Sequence, residues 1–178
     1  MKTHPHHLLQ TLLSALFLLA PLASDAADAV EHITLLAQPR SGLPVIIKGE
    51  ESISTKATFR PPVEITIEAK TDSTDLRLAY AANQIIFNWR DLPNQLRVDG
   101  GPASGQHKAG AGAIPANKYV TVRWVVLPTK QSIYVDDQLR FEHEGDYSAI
   151  NNPVTVFCFH SKVSVKSIKV RPLSAGGK

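Results

Sequence analysis

The run Val63-Glu-Ile-Thr-Ile-Glu-Ala-Lys70 alternates apolar and polar side chains with a period of two residues. The same alternation continues through residues 75–80, 84–90 and 95–99. Because successive side chains of a β-strand point to opposite faces, the pattern predicts antiparallel strands with one face in a core and the other in water. We expect any function on or beside this polar face. Its members are Glu64, Thr66, Glu68, Arg77, Gln84, Asn88, Arg90, Gln95, Arg97 and Asp99.

The rest of the chain is cut into short segments by proline, glycine and clusters of Asp, Ser and Asn. Further strands are predicted at residues 31–37, 44–48, 118–127, 131–136, 138–141, 153–159 and 163–170. About ten or eleven short strands with closely spaced turns are typical of an all-β fold. We therefore predict a two-sheet antiparallel β-sandwich.

Residues 1–29 have the features of a secretory signal peptide. A short polar segment precedes an apolar block at residues 12–20. Small residues at the first and third positions before the cut make Ala26 or Ala29 the predicted cleavage site. The block is too short to span a bilayer, and nothing later in the chain approaches a spanning length. We therefore expect a secreted or periplasmic protein with no membrane span.

The remainder of the chain is predicted to form one domain at residues 30–173, with a disordered tail at 174–178. The formal net charge is +3, and it rises to about +4 when one lysine and two aspartates leave with the signal. Both signs are interspersed, which is unlike the basic footprint of a nucleic-acid-binding protein. Cys158 is the single cysteine, so no intramolecular disulfide can form. Its apolar strand predicts a small buried hydrophobe on a strand covered on both faces.

Three features interrupt the regular pattern. Asp136-Asp137 lies between two predicted strands and suits a tight hairpin, because aspartate tolerates the left-handed conformation. The alternation changes phase near Lys166-Ser167, which predicts a β-bulge. The glycine-rich stretch at residues 100–115 is predicted to form a long flexible loop that flanks the functional site.

The second half of the domain resembles a known fold family. Ile133-Tyr-Val-Asp-Asp-Gln-Leu-Arg-Phe141, Gly145-Asp-Tyr-Ser148 and Val163-Ser-Val-Lys-Ser-Ile-Lys-Val170 resemble a hairpin, a loop and a closing strand of the concanavalin A-like (laminin G-like) jelly-roll superfamily. Within it, the chain is similar over residues 63–170 to secreted bacterial domains related to 3-keto-disaccharide hydrolases. The resemblance implies a jelly roll in which sugars bind on a concave sheet face or at its rim.

Glu64 and Glu68 are the candidates for catalytic carboxylates. Both project from one face of a predicted strand, with Thr66 between them. They resemble the Glu-x-Asp-x-Glu strand of jelly-roll glucanases, in which two carboxylates serve as nucleophile and acid/base. Thr66 stands where that motif has aspartate, and roughly 13 Å of backbone separates the two glutamates. We therefore favour the alternative, a solvated strand face without catalysis.

The predicted ligand-binding residues are four arginines and one asparagine, all in the polar phase of their strands. If those strands are neighbours, they form a guanidinium-rich surface that suits carboxylates, sulfates or sugar hydroxyls. The alternative is a charged outer face on which arginine and glutamate pair across strands. The five residues are Arg77, Asn88, Arg90, Arg97 and Arg123.

Aromatic side chains bear on sugar binding because sugars stack on exposed rings. Phe87 and Trp89 are in phase with Ile85, and Trp124 is in phase with three valines, so these rings are predicted to lie in the core. The predicted exposed rings are Tyr119, Tyr134 and Tyr147.

No metal or other cofactor is predicted. The histidines occur singly, without the spacing that a zinc site needs. Calcium is possible in a jelly roll, and Asp72, Asp75 and Asp136-Asp137 offer oxygens, but a turn explains each of them equally well.

Basic residues crowd the last predicted strand. The simplest interpretation is a charged edge strand that prevents sheets from aggregating. The residues concerned are Lys162, Lys166, Lys169 and Arg171.

Three functions remain open. The first, which we favour, is a non-catalytic module that binds a glycan or another polar or anionic extracellular ligand. The second is a jelly-roll glycoside hydrolase with Glu64 and Glu68 as acid/base candidates. The third is a structural or protein-interaction domain of the cell envelope.

Overall fold

The computed structural model describes residues 44–174 in full and the backbone of Glu31–His32. The predicted signal peptide with its cleavage sites Ala26 and Ala29, most of the predicted first strand, and residues 175–178 of the predicted tail lie outside the described residues. In the described part of the chain, no helix is long and apolar enough to cross a membrane.

The described residues form short strands throughout the domain. In chain order these are β1 (Glu31–His32), β2 (Val45–Gly49), β3 (Ser52–Ser54), β4 (Val63–Thr71), β5 (Leu76–Ala79), β6 (Gln84–Phe87), β7 (Gln95–Asp99), β8 (Lys108–Ala109), β9 (Val120–Leu127), β10 (Lys130–Val135), β11 (Gln138–Glu144), β12 (Thr155–Phe157) and β13 (Ser161–Pro172).

The strands pair into two antiparallel sheets. The larger sheet has seven strands in the order β1-β13-β4-β9-β10-β11, with β2 also paired to β13. The smaller sheet has six strands in the order β3-β12-β5-β6-β7-β8. The predicted all-β, two-sheet antiparallel sandwich is confirmed.

The basic strand β13 is an interior strand of the larger sheet. One of its sides pairs with β4, and the other pairs with β1 and β2. The prediction that Lys162, Lys166, Lys169 and Arg171 guard a sheet edge is therefore wrong. The second edge of β13 is paired because β1 and β2, which come before β4 in the chain, lie beside it. This long-range pairing is not visible in the local sequence pattern.

The core lies between the sheets and takes the apolar phase of each strand. Ile65 of β4, Phe87 of β6 and Trp124 of β9 are fully buried. The Trp124 ring meets the Tyr80 ring edge-on, with 5.9 Å between centroids, and its Nε1 donates a hydrogen bond of 2.9 Å to Gln131 Oε1. Phe87 and Trp124 therefore lie in the core as predicted, and the buried indole N–H of Trp124 has a hydrogen-bond acceptor.

Two predictions about burial in the second half of the domain are wrong. Tyr147 is fully buried rather than exposed, and its hydroxyl lies 2.7 Å from His143 Nδ1. Cys158 is buried as predicted, but its neighbours Phe157 and Phe159 are only partly buried. The apolar run is therefore a strand covered on one face, and it presents two phenylalanines on the other.

The predicted turn and bulge are both present. Asp136 and Asp137 have φ values of 47° and 63°, the left-handed conformation that a two-residue hairpin requires. The register of β13 against β4 shifts between Val165 and Ser167, which is the predicted β-bulge.

The predicted flexible loop at residues 100–115 packs against the sandwich. Ala103, Ala111 and Ile114 are buried in the core, and the loop contributes strand β8. Gly101 has a φ of +68°, and a Cβ there would lie 2.2 Å from the Ala81 carbonyl oxygen, so only glycine fits this close approach.

The single polar face predicted from the alternation is divided between the two sheets. Glu64, Thr66 and Glu68 lie on β4 in the larger sheet, because the chain crosses to the smaller sheet between β4 and β5. The outer faces of the two sheets point away from each other across the core. The polar residues on the smaller sheet are Arg77, Gln84, Gln95, Arg97 and Asp99.

Candidate functional site

The outer face of the smaller sheet carries three arginines and three aromatic rings. In register, Phe157 of β12 lies beside Arg77 of β5, and Ile86 of β6 lies between Arg77 and Arg97 of β7. Trp89 and Arg90 follow the end of β6, and Phe159 follows the end of β12. We call this surface the arginine-aromatic face. Its residues are Arg77, Trp89, Arg90, Arg97, Phe157 and Phe159.

Side-chain hydrogen bonds cross this face in one connected chain. Asp75 Oδ1 accepts from Arg77 Nε at 3.3 Å and from Nη2 at 2.9 Å. Arg77 Nη1 donates to Gln84 Oε1 at 3.1 Å, and Gln84 Nε2 donates to Asp99 Oδ2 at 2.6 Å. The same Asp99 oxygen accepts from Arg97 Nε at 2.7 Å. Because each group is held by the next, the five side chains fix one another's orientation.

The chain begins at a buried carboxylate. Asp75 has a side chain that is 0% exposed and a left-handed φ of 55°, which aspartate tolerates better than most residues. Its Oδ2 atom is buried and has no hydrogen-bond partner among the described residues. The Asp75 charge is therefore balanced mainly by Arg77, which it holds in place.

Aromatic rings lie against all three guanidinium groups. The Cζ atom of Arg77 lies 4.8 Å from the centroid of the Phe159 ring, and that of Arg90 lies 5.6 Å from the same centroid. The Cζ atom of Arg97 lies 4.4 Å from the centroid of the Trp89 ring. Contact with a ring face leaves the N–H groups at the edge of a guanidinium free to bond other acceptors.

Trp89 belongs to this face rather than to the core, so its predicted burial is wrong. The side chain is only partly buried and contacts Arg97. The cause is Asn88, whose φ of 50° interrupts the extended backbone. A left-handed residue resets the alternation of a strand, so Trp89 no longer shares the phase of Ile85 and Phe87.

Some arginine donors on this face remain open. Within the described residues, the four N–H groups on Nη1 and Nη2 of Arg97 have no protein acceptor. The Arg90 side chain is 55% exposed, and its one described ion pair is a 3.7 Å contact with Asp91. These two arginines therefore offer donors to a ligand, whereas Arg77 is 16% exposed and bonded through three nitrogens.

Asp99 stays ionised at the centre of the network. Burial acts to raise its pKa, but hydrogen bonds from Arg97 and Gln84 outweigh it, so the pKa of Asp99 lies below its usual value. His107 Nε2 lies 4.0 Å from Asp99 Oδ1, while His107 Nδ1 accepts from the backbone N–H of Val98 at 3.1 Å. Because Nδ1 accepts, the neutral ring carries its proton on Nε2, on the side of Asp99.

Asn88 does not reach the arginine-aromatic face. Its Oδ1 accepts from the Ile114 N–H at 2.8 Å, and its Nδ2 donates to the carbonyls of Ile114 at 2.9 Å and Ser73 at 3.2 Å. The residue is buried, so its amide is used to hold the 100–115 loop. Among the five residues of the predicted binding set, Asn88 is placed for a structural role.

Arg123 lies across the sandwich from the other three arginines. It is on β9 in the larger sheet, where its Cζ lies 3.8 Å from the centroid of the Tyr134 ring. Its Nη1 lies 3.6 Å from Glu64 Oε2. The structure therefore brings Arg77, Arg90 and Arg97 together and leaves Arg123 on the opposite outer face.

The two predicted catalytic carboxylates lie on the same sheet as Arg123, and both form ion pairs with basic side chains. Glu64 Oε1 accepts from Arg171 Nη2 at 3.0 Å, in addition to its contact with Arg123. Glu68 Oε1 accepts from Lys166 Nζ at 2.6 Å. This arrangement matches the charged outer face with cross-strand pairs that the sequence left open as an alternative.

Phe157 and Phe159 are members of the arginine-aromatic face that the sequence analysis missed. Their run, Val154-Thr-Val-Phe-Cys-Phe159, is almost entirely apolar, which hid its two-residue period. The polar residue Thr155 was the available signal, because alternate residues of a strand share a face and Phe157 and Phe159 therefore lie on the same face as Thr155. The acceptor role of Gln84 depends on pairing between β5 and β6 and leaves no local signal, whereas Asp75 lies only two residues before Arg77 in the sequence.

Within the part of the chain that the structure describes, no group of three or more His, Cys, Asp or Glu side chains is placed to hold a metal ion. Asp136 and Asp137 form the hairpin turn instead, and Asp72 Oδ1 accepts from the backbone N–H of Lys162 at 3.1 Å.

Known proteins resemble this chain in fold. No protein-family model matches it, and no curated protein matches it in sequence. Solved structures do match. The β-glucanase of Bacillus licheniformis is 12% identical, with 68% of this chain and 71% of that chain covered and a TM-score of 0.53. The carbohydrate-binding module CBM66 of Bacillus subtilis is 11% identical, with 70% and 83% covered and a TM-score of 0.50.

Another match is the galectin LEC-6 of Caenorhabditis elegans, which is 14% identical, with 76% of this chain and 94% of that chain covered and a TM-score of 0.50. At such identities the likeness shows the fold. The predicted concanavalin A-like jelly roll is confirmed.

Proposed function

We propose that this protein is a non-catalytic module that binds a glycan on the arginine-aromatic face. The observation that carries the proposal is the contact of Arg97 with Trp89 and of Arg90 with Phe159, with guanidinium donors left open. Fold neighbours that include a carbohydrate-binding module and a galectin support it.

The face combines the two kinds of contact that sugars make. Sugar rings have apolar C–H faces, which pack on aromatic rings, and hydroxyl groups, which bond to charged or amide donors and acceptors. Trp89, Phe157 and Phe159 supply rings that are only partly buried, and Arg97 supplies donors. The hydrogen-bond chain from Asp75 to Arg97 holds these groups before a ligand arrives, which lowers the entropy cost of binding.

The charge of the face favours a neutral ligand. Each of its arginines has an aspartate beside it, in the pairs Arg77 with Asp75, Arg90 with Asp91, and Arg97 with Asp99. The formal charges of these six residues cancel. A polar surface without net charge suits a hydroxyl-rich glycan better than a polyanion.

A jelly-roll glycoside hydrolase is the second candidate, and glucanases among the fold neighbours favour it. Glu64 and Glu68 remain its acid/base candidates, but both carboxylates are in ion pairs and face away from the arginine-aromatic face. On that face the low pKa of Asp99 does not suit a general acid. A Glu68→Gln variant that folds and loses turnover would establish this candidate.

A more specific family relation and a role in protein interaction also stay proposals. A relation to the 3-keto-disaccharide hydrolase-related domains rests on the resemblance over residues 63–170, and an envelope interaction role rests on the charged outer faces. Pull-down from an envelope extract tests the latter.

The binding proposal is tested on a microarray of neutral glycans, followed by titration calorimetry with the best ligand. Arg97→Ala and Phe159→Ala each remove one member of the face, and we expect each to weaken binding about tenfold or more. Arg123→Ala is the matched control, because it removes an arginine that contacts a ring on the opposite sheet. Equal weakening by all three variants, or no glycan bound by the wild type, would contradict the proposal.

We also propose that the protein is secreted or periplasmic, on the strength of residues 1–29. Expression of the full chain in a bacterium, fractionation and mass spectrometry of the N-terminus test this. Cleavage after Ala26 or Ala29 in the exported fraction is expected, and an uncut chain confined to the cytoplasm would argue against export.

A further inference from the structure

Basic side chains are concentrated on the outer face of the larger sheet. At the outward positions of β2, β4, β9 and β13, the register places seven basic side chains and two acidic ones, Glu64 and Glu68. We call this surface the cationic face. Its basic residues are Lys48, Lys70, Arg123, Lys162, Lys166, Lys169 and Arg171.

The cationic face is not explained by protection of a sheet edge. Four of its members lie on β13, which pairs on both sides. Their side chains point outward from an interior strand, whose backbone edges are both paired and need no shielding. Protection of a sheet edge therefore does not account for this excess of one charge.

Two lysines on this face are held opposite each other. Lys48 of β2 and Lys162 of β13 are direct cross-strand partners. Such partners have Cβ atoms roughly 4.5–5.5 Å apart, and like charges there destabilise a sheet. On the other side of β13, Lys70 is the cross-strand partner of Ser164. Lys70 is therefore a diagonal neighbour of Lys162 on the same face.

Few carboxylates neutralise these lysines. Among the described residues, Lys48, Lys70, Lys162 and Lys169 have no carboxylate within ion-pair distance of their ammonium groups. Glu51 and Asp72 lie at the rim, where each accepts a hydrogen bond from the backbone N–H of a lysine, and Asp72 also attracts the Lys162 ammonium group from beyond ion-pair distance. The paired carboxylates, Glu64 and Glu68, balance only three of the seven cations.

Two tyrosine rings lie among the cations. The Nζ atoms of Lys166 and Lys70 lie 4.1 Å and 5.0 Å from the centroid of the Tyr119 ring. The Tyr134 ring contacts Arg123 at 3.8 Å. One ring therefore lies between two lysines, and the other lies against an arginine.

We propose that the cationic face is a second binding site, specific for an acidic polysaccharide such as a chain of uronic acids. A polymer with regularly spaced carboxylates complements several fixed ammonium groups at once, and binding it releases counterions. A membrane surface is the less suitable partner, because interfacial binding needs a cluster of apolar anchors, whereas Ile46 and Leu127 are the two exposed large apolar side chains among the described residues of β2, β4, β9 and β13.

The test uses polygalacturonate, with fully methyl-esterified polygalacturonate as the uncharged control polymer. We expect the wild-type protein to bind the acid and not the ester, and the affinity to fall steeply as salt is added. Lys162→Gln combined with Lys169→Gln removes two cations of the face and should weaken binding about tenfold. Lys56→Gln combined with Lys108→Gln removes the same charge elsewhere and should change binding less than about twofold.

Three results would overturn the inference: no binding of polygalacturonate at low salt, equal binding of the methyl ester, or equal weakening by the two double variants. The last result would show that binding depends on the net charge of the protein and not on this face. Binding to phosphatidylglycerol vesicles without binding to polygalacturonate would assign the face to a membrane instead. Phe159→Ala should leave polygalacturonate binding unchanged, so this test fails or succeeds independently of the glycan site proposed above.

Discussion

Replacing Asn88 with alanine tests whether its side chain holds the 100–115 loop rather than a ligand. The amide makes three hydrogen bonds, two with the backbone of Ile114 and one with the carbonyl of Ser73. At about 1 kcal/mol each, their loss lowers the free energy of unfolding by about 3 kcal/mol. Alanine at a φ of 50° adds about 1 kcal/mol of backbone strain, for a total of about 4 kcal/mol.

Asn88→Gly is the matched control for that strain. Glycine loses the same three hydrogen bonds but adopts the left-handed conformation freely, so this variant should be about 1 kcal/mol more stable than Asn88→Ala. Urea unfolding followed by tryptophan fluorescence gives both values, provided that the m-value stays constant. The reasoning is refuted if Asn88→Ala costs less than about 1 kcal/mol, or if glycine is the worse replacement.

Three further predictions concern acid stability, close packing and thiol reactivity. The pKa of Asp99 is lower in the folded protein than in the unfolded chain, so its contribution to stability is full above about pH 4 and is lost as the pH falls through the folded value. Asp99→Asn should therefore flatten the acid limb of a plot of urea midpoint against pH, and an unchanged limb would contradict this. Gly101→Ala should cost more than about 2 kcal/mol, because its Cβ would meet the Ala81 carbonyl, whereas Gly105→Ala, also at positive φ but with nothing within 4 Å, should cost about 1 kcal/mol. Thermal unfolding compares the two, and equal costs would be evidence against the close approach. Burial raises the pKa of the Cys158 thiol, so it should resist a disulfide reagent at pH 8 until urea unfolds the chain; rapid labelling of the folded protein would count against that burial.

Local chemistry made much of this fold predictable. The alternation in β4 is set by side chains that are neighbours in sequence, and it gave the correct inward phase from Val63 to Ala69. The Asp136-Asp137 turn and the bulge beside Lys166 are likewise local, because each depends on a few consecutive residues. Such features leave a direct trace in the sequence.

The division of polar residues between two faces left no such trace. A period of two shows that Glu64 and Arg97 point away from a core, but not to which sheet each strand belongs. That choice depends on pairing between distant segments, such as β4 with β13 and β5 with β12. For the same reason the sequence grouped Arg123 with Arg77, although the core separates them.

The site was harder to predict than the fold because single residues decide it. The left-handed conformation of Asn88 moves Trp89 from the core phase to the arginine-aromatic face. Asparagine is compatible with that conformation but does not require it, so the change of phase is visible only in three dimensions.

The interior position of β13 affects how the protein is made. Synthesis runs from the N-terminus, so β2 and β4 emerge long before Ser161–Pro172, the segment that must lie between them. Until then β4 is an edge strand of the larger sheet, and β2 has no strand partner among the described residues. A nascent chain stalled before residue 161 therefore exposes the long edge of β4 and leaves β2 unpaired beside it. Such chains are the ones for which aggregation, and the need for a holding chaperone, should be greatest.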